Sequence, residues 1–148
     1  MVIPFWQIKN IILSLLSKRT VGARCLLIKD GQVLLVKHTY TPKWYTVGGG
    51  VEPGESTLQA VLRELKEEVG ATPNLPPEIF GVYHSTNEGR DDYIIMYVCE
   101  DFILTPVTSP EIAEISWFSF HALPEDISVA TKRRIDEYLG TVPRSDKW

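Results

Sequence analysis

Three glutamates near the middle of the chain have the residue type and the spacing to bind a metal ion. Glu64, Glu67 and Glu68 are three and four residues apart, so on an α-helix they share one flank, within roughly 100° of arc. Carboxylate oxygen is the ligand that Mg²⁺ prefers in proteins, together with water and substrate phosphate. The spacing therefore predicts a divalent-metal site; the alternative is a solvated acidic helix face whose charges pair with Arg63 and Lys66.

The residues around these glutamates predict a glycine-rich turn followed by a helix. Residues 52–54 have turn chemistry, because proline fixes φ at the second turn position and Gly54 can take a positive φ at the third. Ser56 and Gln59 match a capping box, and Gly70 is placed to end the helix. Apolar residues between these caps recur at helical spacing and predict one stripe that faces a core: Leu58, Val61, Leu62, Leu65 and Val69.

Residues 49–71 resemble the signature of the Nudix hydrolase family, G-x5-E-x7-R-E-U-x-E-E-x-G-U, in which U is aliphatic. Ala71 is smaller than usual at the last position, and Thr46-Val47 stands just upstream, where many relatives have Leu-Pro. A chance match at the fixed letters is expected in about one window per hundred million, which favours the metal-site interpretation. The signature positions are filled by Gly49, Glu55, Arg63, Glu64, Leu65, Glu67, Glu68 and Gly70.

The resemblance implies that the protein hydrolyses a nucleoside diphosphate linked to another group X, with metal-activated water attacking a phosphorus. It also implies Mg²⁺ as the cofactor, with Mn²⁺ as a substitute, bound by Glu64, Glu67, Glu68 and the backbone carbonyl of Gly48. The residue chemistry is compatible with this, because clustered carboxylates bind the divalent ions that lower the pKa of bound water.

The general base is open at this stage. Relatives recruit it from the motif or from a later loop, so Glu64, Glu55 and Glu111 are all candidates. Glu111 lies in a loop that contains prolines, where some relatives carry a further ligand or base; a solvated loop glutamate is the alternative, and Glu114 competes with it.

Arg63 has two interpretations. It can pair with Glu55 or Glu67 to hold the carboxylates in register, which suits the fork geometry of a guanidinium group, or it can contact phosphate. The structural role is favoured. Structural roles are also expected for the glycines of the motif and its turn, Gly49, Gly54 and Gly70.

Basic and aromatic residues outside the motif are candidates for substrate binding. Trp44 and Tyr40 can stack on a base, although core packing is the alternative for Trp44. The secondary marks of known family branches are absent, so a modified nucleoside triphosphate and a nucleotide sugar both remain open as substrates. The basic candidates for contacts to phosphate, each of which can also be an ordinary surface charge, are Arg24, Lys37, Lys43 and Arg90.

Composition predicts one ordinary globular domain. The chain has 148 residues, 44% of them hydrophobic, and a net charge of −4. That charge argues against sequence-independent binding of long nucleic acid, which needs a basic surface, whereas a small nucleotide can bind through metal ions. Cys25 and Cys99 lie in apolar runs and are expected to be buried free thiols in a cytoplasmic protein.

Residues 1–19 are expected to form an extra apolar helix before the catalytic domain. The segment is too short and too interrupted to span a bilayer, and it lacks the features of a signal peptide. Its apolar residues need a partner, and three are open: the chain's own domain, a second copy in a homodimer, or a membrane surface contacted by residues 3–16.

The order of predicted elements favours an α/β (α+β) fold, and the resemblance implies a Nudix-type α/β/α sandwich with a mixed sheet over residues 20–140. Asp30-Gly31 is a hairpin signal, residues 72–78 are a proline-rich connection, and residues 141–148 are expected to be a loose tail. The predicted strands are Val21–Lys29, Gln32–His38, Trp44–Val47, Ile79–Thr86, Tyr93–Phe102 and Ile115–Phe118, followed by a helix over Ser128–Leu139.

Two further functions are weighed against hydrolysis. A Nudix-like domain can act as a ligand sensor without turnover, but such domains often lose motif glutamates, and here the set is complete. Isomerases of prenyl diphosphates resemble the Nudix fold and rely on a cysteine and a glutamate, whereas Cys25 lies in an apolar strand and no such pair is evident.

Overall fold

The computed structural model describes residues 19–148 together with Pro4, Gln7 and Ile8. The predicted N-terminal helix lies almost wholly outside the described residues, and with it the three alternatives for its partner: the chain's own domain, a second copy, or a membrane surface contacted by residues 3–16. Within those residues, no helix is long and apolar enough to cross a bilayer. The strands are β1 Arg19–Lys29, β2 Gln32–His38, β3 Trp44–Tyr45, β4 Val47–Gly50, β5 Ala71–Pro73, β6 Glu78–Ser85, β7 Asp91–Cys99, β8 Phe102–Leu104 and β9 Ile112–Ser119; the helices are α1 Thr57–Val69 and α2 Val129–Leu139.

The main sheet is mixed, as predicted, and β1 lies at its centre. Its strand order is β3-β2-β1-β7-β6, with β4 paired to β1 and β9 paired to β2. β1 pairs antiparallel with β2 at one end and with β4 at the other, and it pairs in parallel with β7 along most of its length. This arrangement brings the glycines of β4, which carry the start of the motif, to the middle of the sheet.

The hairpin between β1 and β2 is confirmed. Asp30 and Gly31 both have positive φ, 52° and 72°, as a type I′ turn requires at its two central positions. The turn sets the register, in which Leu27 pairs with Leu34 and Lys29 with Gln32.

Two apolar clusters lie on opposite faces of the sheet and form the predicted α/β/α sandwich. Val61 and Leu65 of α1 belong to the cluster on one face, and Ile135 of α2 belongs to the cluster on the other. The predicted stripe of α1 is wrong for Leu62, which is 36% exposed, whereas Ala60 is fully buried. The buried side of α1 is therefore turned towards Ala60 and Glu68, which leaves Leu62 partly exposed.

Several strand boundaries differ from the prediction, because strand pairing adds to what periodicity shows. The predicted strand Trp44–Val47 is interrupted at Thr46, and the long strand ending at Phe102 is divided into β7 and β8. The proline-rich connection contains β5, which pairs with β8 in a separate two-stranded sheet; Pro73 is tolerated there because it ends an edge strand. β9 is longer than predicted, since it pairs along the whole of β2.

The prediction of a loose C-terminal tail is wrong. The backbone N–H of His84 donates to the carbonyl of Asp146 at 2.8 Å, and the N–H of Trp148 donates to the carbonyl of His84 at 3.0 Å. Arg134, which is fully buried, donates from Nη1 to the carbonyl of Lys147 at 3.0 Å. A buried guanidinium group needs such polar partners, so the tail is part of the folded domain.

Candidate active site

The helix that carries the glutamates is capped as the sequence predicts. Gln59 N–H donates to Ser56 Oγ at 3.1 Å, and Ser56 N–H donates to Gln59 Oε1 at 2.8 Å, which completes a capping box. Gly70 ends the helix with φ 68°, and its carbonyl accepts a hydrogen bond from Thr105 N–H at 2.8 Å. The helix is therefore fixed at both ends, and its C-terminus is attached to the loop between β8 and β9.

Arg63 is surrounded by carboxylates. Its Nε donates to Glu55 Oε1 at 2.6 Å and its Nη2 to Glu55 Oε2 at 3.0 Å, which is a bidentate fork. Its Nη1 donates to Glu64 Oε1 at 2.9 Å and to Glu67 Oε2 at 3.4 Å, and Nη2 also donates to the carbonyl of Gly50 at 3.1 Å. These contacts match the structural interpretation of Arg63; a phosphate contact stays a prediction.

Glu68 points into the protein rather than into solvent. It is 3% exposed, and its two oxygens accept different hydrogen bonds. Gly48 N–H donates to Oε1 at 2.8 Å, and His38 Nε2 lies 3.1 Å from Oε2. A buried carboxylate requires such donors, so the end of α1 is joined to both β4 and β2 through this side chain.

Gly48 and Gly49, at the start of the motif, lie where an added side chain would meet other atoms at short distance. Gly48 has φ 147°, and a Cβ at this position would lie 2.4 Å from the carbonyl oxygen of Ala23. A Cβ on Gly49 would lie 2.5 Å from Glu64 Oε1. The absence of side chains therefore lets β4 pack against β1 and lets the Glu64 carboxylate pack against β4.

The carboxylates of the site differ in acidity. The bonds from Arg63 hold the pKa of Glu55 down at about 2. Burial raises the pKa of Glu64, with Arg63 opposing the shift and Glu68 adding to it. Arg63 itself has a raised pKa, chiefly because of its bonds to Glu55, so it remains charged. The two glutamates that contact Arg63 most closely thus have pKa values shifted in opposite directions.

In the described part of the chain, no three His, Cys, Asp or Glu side chains converge as a ready-made metal cluster. The contacts explain this, because Glu64 and Glu67 both turn towards Arg63 while Glu68 turns towards Gly48 and His38. The predicted ligands therefore share one helix flank but are drawn apart by these partners.

The predicted substrate residues on β1 to β3 already contact protein groups. Arg24 donates from Nη1 to the carbonyl of Thr46 at 3.1 Å and is paired with Gly48 across the sheet. Lys37 forms an ion pair with Asp126 at 2.9 Å, and its Nζ lies 4.8 Å from the ring centroid of Trp44. Trp44 is 6% exposed and belongs to the core cluster under α2, in line with its core-packing alternative.

The remaining candidates lie on loops. Lys43 and Glu111 are exposed, as is Arg90, which follows a short 3-10 turn between β6 and β7. The carbonyl of Glu111 accepts a hydrogen bond from Thr39 N–H at 2.9 Å, which attaches its loop to the end of β2. The substrate and base roles of these residues stay predictions.

His38 is a site residue that the sequence interpretation missed. It continues the inward positions of β2, in which Leu34 and Val36 face the cluster under α1. The sequence did contain a signal for this residue. A histidine occupies the third of these alternating inward positions, and a buried polar side chain needs a hydrogen-bonding partner. Its ring stacks on Tyr40, with centroids 5.1 Å apart, and lies 5.8 Å from the ring of Tyr45.

The two cysteines are free and buried, as predicted. Burial raises the pKa of the Cys25 thiol well above its ordinary value. Cys25 belongs to the cluster under α1, so it lacks the access to substrate that a catalytic thiol requires. This environment disfavours the isomerase alternative.

Known proteins resemble this chain over most of its length. The family model described as NUDIX domain matches residues 18–139. A Bacillus subtilis protein named as a candidate 8-oxo-dGTP diphosphatase is 32% identical over 120 residues, which are 80% of this chain and 79% of that protein. The ADP-ribose pyrophosphatase of Methanocaldococcus jannaschii is 32% identical over 119 residues, or 75% of this chain and 68% of that protein. The crystal structure of a MutT NUDIX hydrolase from Burkholderia pseudomallei has the same fold, with a TM-score of 0.72 at 24% identity over 81% of this chain and 98% of that one.

Proposed function

The chain belongs to the Nudix hydrolase family, and we propose that it hydrolyses a nucleoside diphosphate linked to another group X. In this reaction water attacks a phosphorus and a phosphate-bearing group leaves. The observation that carries the proposal is the complete set of motif glutamates on one flank of α1, with Gly48 donating to Glu68 and Gly49 leaving room for Glu64.

The donor set fits a hard divalent cation. Glu64, Glu67, Glu68 and the backbone carbonyl of Gly48 would hold Mg²⁺, with Mn²⁺ as a substitute, because carboxylate and carbonyl oxygens suit both ions. The burial of Glu68 and the partial burial of Glu64 support this, since carboxylates held away from water are stabilised by positive charge, part of which Arg63 supplies to Glu64. When bound, such ions lower the pKa of water and neutralise phosphoryl oxygens.

Glu64 is the best suited of the three candidate bases. Arg63 donates to one oxygen of Glu64, Oε1, whereas it donates to both oxygens of Glu55, so Glu64 is the carboxylate with an oxygen better placed to accept a proton. Glu55 is less suited, because Arg63 keeps its pKa at about 2. Glu111 remains an alternative on the loop between β8 and β9.

Arg63 is proposed to position the carboxylates rather than to bind substrate. Its guanidinium group is shared among Glu55, Glu64 and Glu67, so it sets the orientation of the catalytic flank relative to the turn before the helix. A phosphate would have to compete with these charged partners for the same N–H groups.

Arg24, Lys43 and Arg90 are proposed as contacts to the phosphates of the substrate. Arg24 is best placed, because it is paired with Gly48 across the sheet. Like Arg24, which donates to the carbonyl of Thr46, Lys37 and Trp44 would first have to leave their contacts, with Asp126 and with the core. The free state of Cys25 and Cys99 supports a reducing compartment such as the cytoplasm.

The test is a panel of substrates assayed with Mg²⁺ or Mn²⁺: nucleoside triphosphates, oxidised nucleotides, ADP-ribose, dinucleoside polyphosphates and nucleotide sugars. Glu67→Gln should lower kcat/KM by at least about 100-fold, as expected for the loss of a metal ligand. Glu78→Gln is the matched control, because Glu78 is exposed on β6. In ¹⁸O-labelled water, the label should enter a phosphate group, since the attack is at phosphorus.

The alternative function is a sensor domain that binds nucleotide without turnover. It would be supported if the folded protein bound a panel nucleotide but released no product with either metal. Equal activity of wild type and Glu67→Gln would contradict the assigned ligand set.

A further inference from the structure

We propose that His38 is a positioning residue that fixes the rotation of the Glu68 carboxylate for metal binding. The inference rests on the proposed function, because it assigns His38 a role through a proposed metal ligand. It starts from the contact between His38 Nε2 and Glu68 Oε2 at 3.1 Å, which joins the end of β2 to the last turn of α1.

The two oxygens of Glu68 are held by donors from two different strands. Gly48 N–H of β4 donates to Oε1 at 2.8 Å, and His38 Nε2 lies 3.1 Å from Oε2, so the tautomer with its proton on Nε2 donates to this oxygen. A carboxylate has about four lone-pair positions, so these two bonds occupy half of them. The carboxylate plane is fixed, and a lone pair on each oxygen is left for a cation.

The imidazole is itself held in place by its surroundings. His38 is 7% exposed and stacks on Tyr40, with Tyr45 on another side. Thr39, the next residue, donates its N–H to the carbonyl of Glu111, which fixes the backbone at the end of β2. The donor therefore has little freedom to leave Glu68.

Residues that hydrogen-bond a ligating side chain fix its orientation, and their loss typically costs about 10- to 100-fold in metal affinity or activity. Glu68 depends on such a hydrogen-bonding partner more than Glu67 does, because Glu68 is buried, whereas Glu67 is 59% exposed and can turn towards an ion from solvent. Without His38, the Gly48 N–H bond alone would leave the carboxylate free to rotate about that single contact.

The experiment measures binding of Mn²⁺ alone, without nucleotide, from the electron paramagnetic resonance signal of the free ion. His38→Leu removes the donor. His38→Gln places an amide N–H₂ where Nε2 was, and His38→Asn places one near the position of Nδ1, out of reach of Glu68. The matched control is His84→Leu, because His84 forms a similar pair with Asp91 at 2.9 Å on β6 and β7.

We expect His38→Leu and His38→Asn to weaken Mn²⁺ binding by about tenfold or more, and His38→Gln and His84→Leu to stay within about threefold of wild type. Melting curves in a chelator check that each variant is folded. If His38→Leu is unfolded, the Mn²⁺ affinities of His38→Asn and His38→Gln are compared instead, since both variants carry a small polar amide.

The proposal is overturned if folded His38→Leu binds Mn²⁺ as wild type does, or if Gln and Asn weaken binding equally, which would mean that only ring packing matters. These outcomes differ from failure of the proposed function itself. If the proposed function itself failed, wild type would bind no Mn²⁺, or Glu67→Gln would be fully active.

Discussion

Gly49 is the residue that makes room for the carboxylate of Glu64. A Cβ at position 49 would lie 2.5 Å from Glu64 Oε1 and 2.8 Å from its carboxyl carbon. Side-chain carbons do not approach oxygens so closely, so one of the two groups would have to move. The glycine that opens the motif is therefore needed for the geometry of the proposed base.

Gly49→Ala is expected to lower activity with little effect on folding, because the atoms that must move belong to the end of a side chain. A displacement of about 1 Å in a reacting group costs about 100-fold in rate, and kcat should fall by about that factor. Steady-state kinetics on the best substrate provides the measurement.

Gly50→Ala is the control for this substitution. Apart from its chain neighbours, no described residue has an atom within 4 Å of a Cβ at position 50, and the carbonyl that accepts from Arg63 is unchanged. Its kcat should stay near that of wild type. If Gly49→Ala were as active as wild type, the position of the Glu64 carboxylate beside Gly49 would not matter for catalysis.

The acidity of Glu55 can be measured directly. In metal-free protein, the carboxyl resonance of Glu55 should titrate with a pKa of about 2, instead of the ordinary 4.5, because of its bonds to Arg63. Arg63→Lys keeps the charge but loses the fork, so the pKa should rise towards the ordinary value.

The same shift has a consequence for stability. The pKa of Glu55 is lower in the folded state than in the unfolded state, so the ionised carboxylate stabilises the fold above about pH 4.5. This contribution is lost progressively as the pH falls from about 4.5 through about 2. Denaturation in urea at pH 7 and pH 3 should show a smaller acid-induced loss for Arg63→Lys than for wild type. If the carboxyl resonance of Glu55 in the wild type titrated with a midpoint near pH 4.5, this would contradict the bidentate contact with Arg63.

Gly70→Ala should destabilise the protein more than an ordinary substitution of a helix-capping glycine. The residue has φ 68°, and a Cβ there would lie 1.7 Å from the carbonyl oxygen of Thr105. The left-handed conformation alone costs roughly 1–2 kcal/mol, and a clash with backbone adds to it, so a loss of about 3 kcal/mol is expected. Urea denaturation measures the free energy of unfolding.

Gly140→Ala isolates the conformational part of this cost. Gly140 ends α2 with φ 75°, and apart from its chain neighbours no described residue has an atom within 4 Å of a Cβ there. It should lose only about 1–2 kcal/mol. Equal losses at the two positions would mean that the loop between β8 and β9, which contains Thr105, moves aside without cost.

The parts of the fold that depend on local sequence were predictable. The capping box at Ser56, the left-handed end at Gly70 and the Asp30-Gly31 turn each depend on residues a few positions apart. The shared flank of the three glutamates follows from helical periodicity alone. The family signature then supplied the chemistry that periodicity lacks.

The parts that depend on residues distant in sequence were not predictable. His38 meets Glu68 only because β2 and the end of α1 come together on one face of the sheet. The tail is ordered because His84 and Arg134 bind its backbone, and its composition gives no sign of this. Leu62 was misassigned because the buried side of α1 includes Ala60 and Glu68, and apolar periodicity does not count either of them.

The parallel pairing of β1 with β7 sets the order in which the chain can fold. Thr20 Oγ1 donates to Asp92 Oδ1 at 2.7 Å across a separation of 72 residues. During synthesis, β1 leaves the ribosome long before its partner, and α1 must emerge between them. Closing so long a loop is slow, because chain entropy is lost before the contacts form. Until β7 is synthesised, Leu26 and Leu27, which belong to opposite faces of β1, are incompletely covered, and exposed apolar side chains of this kind favour aggregation.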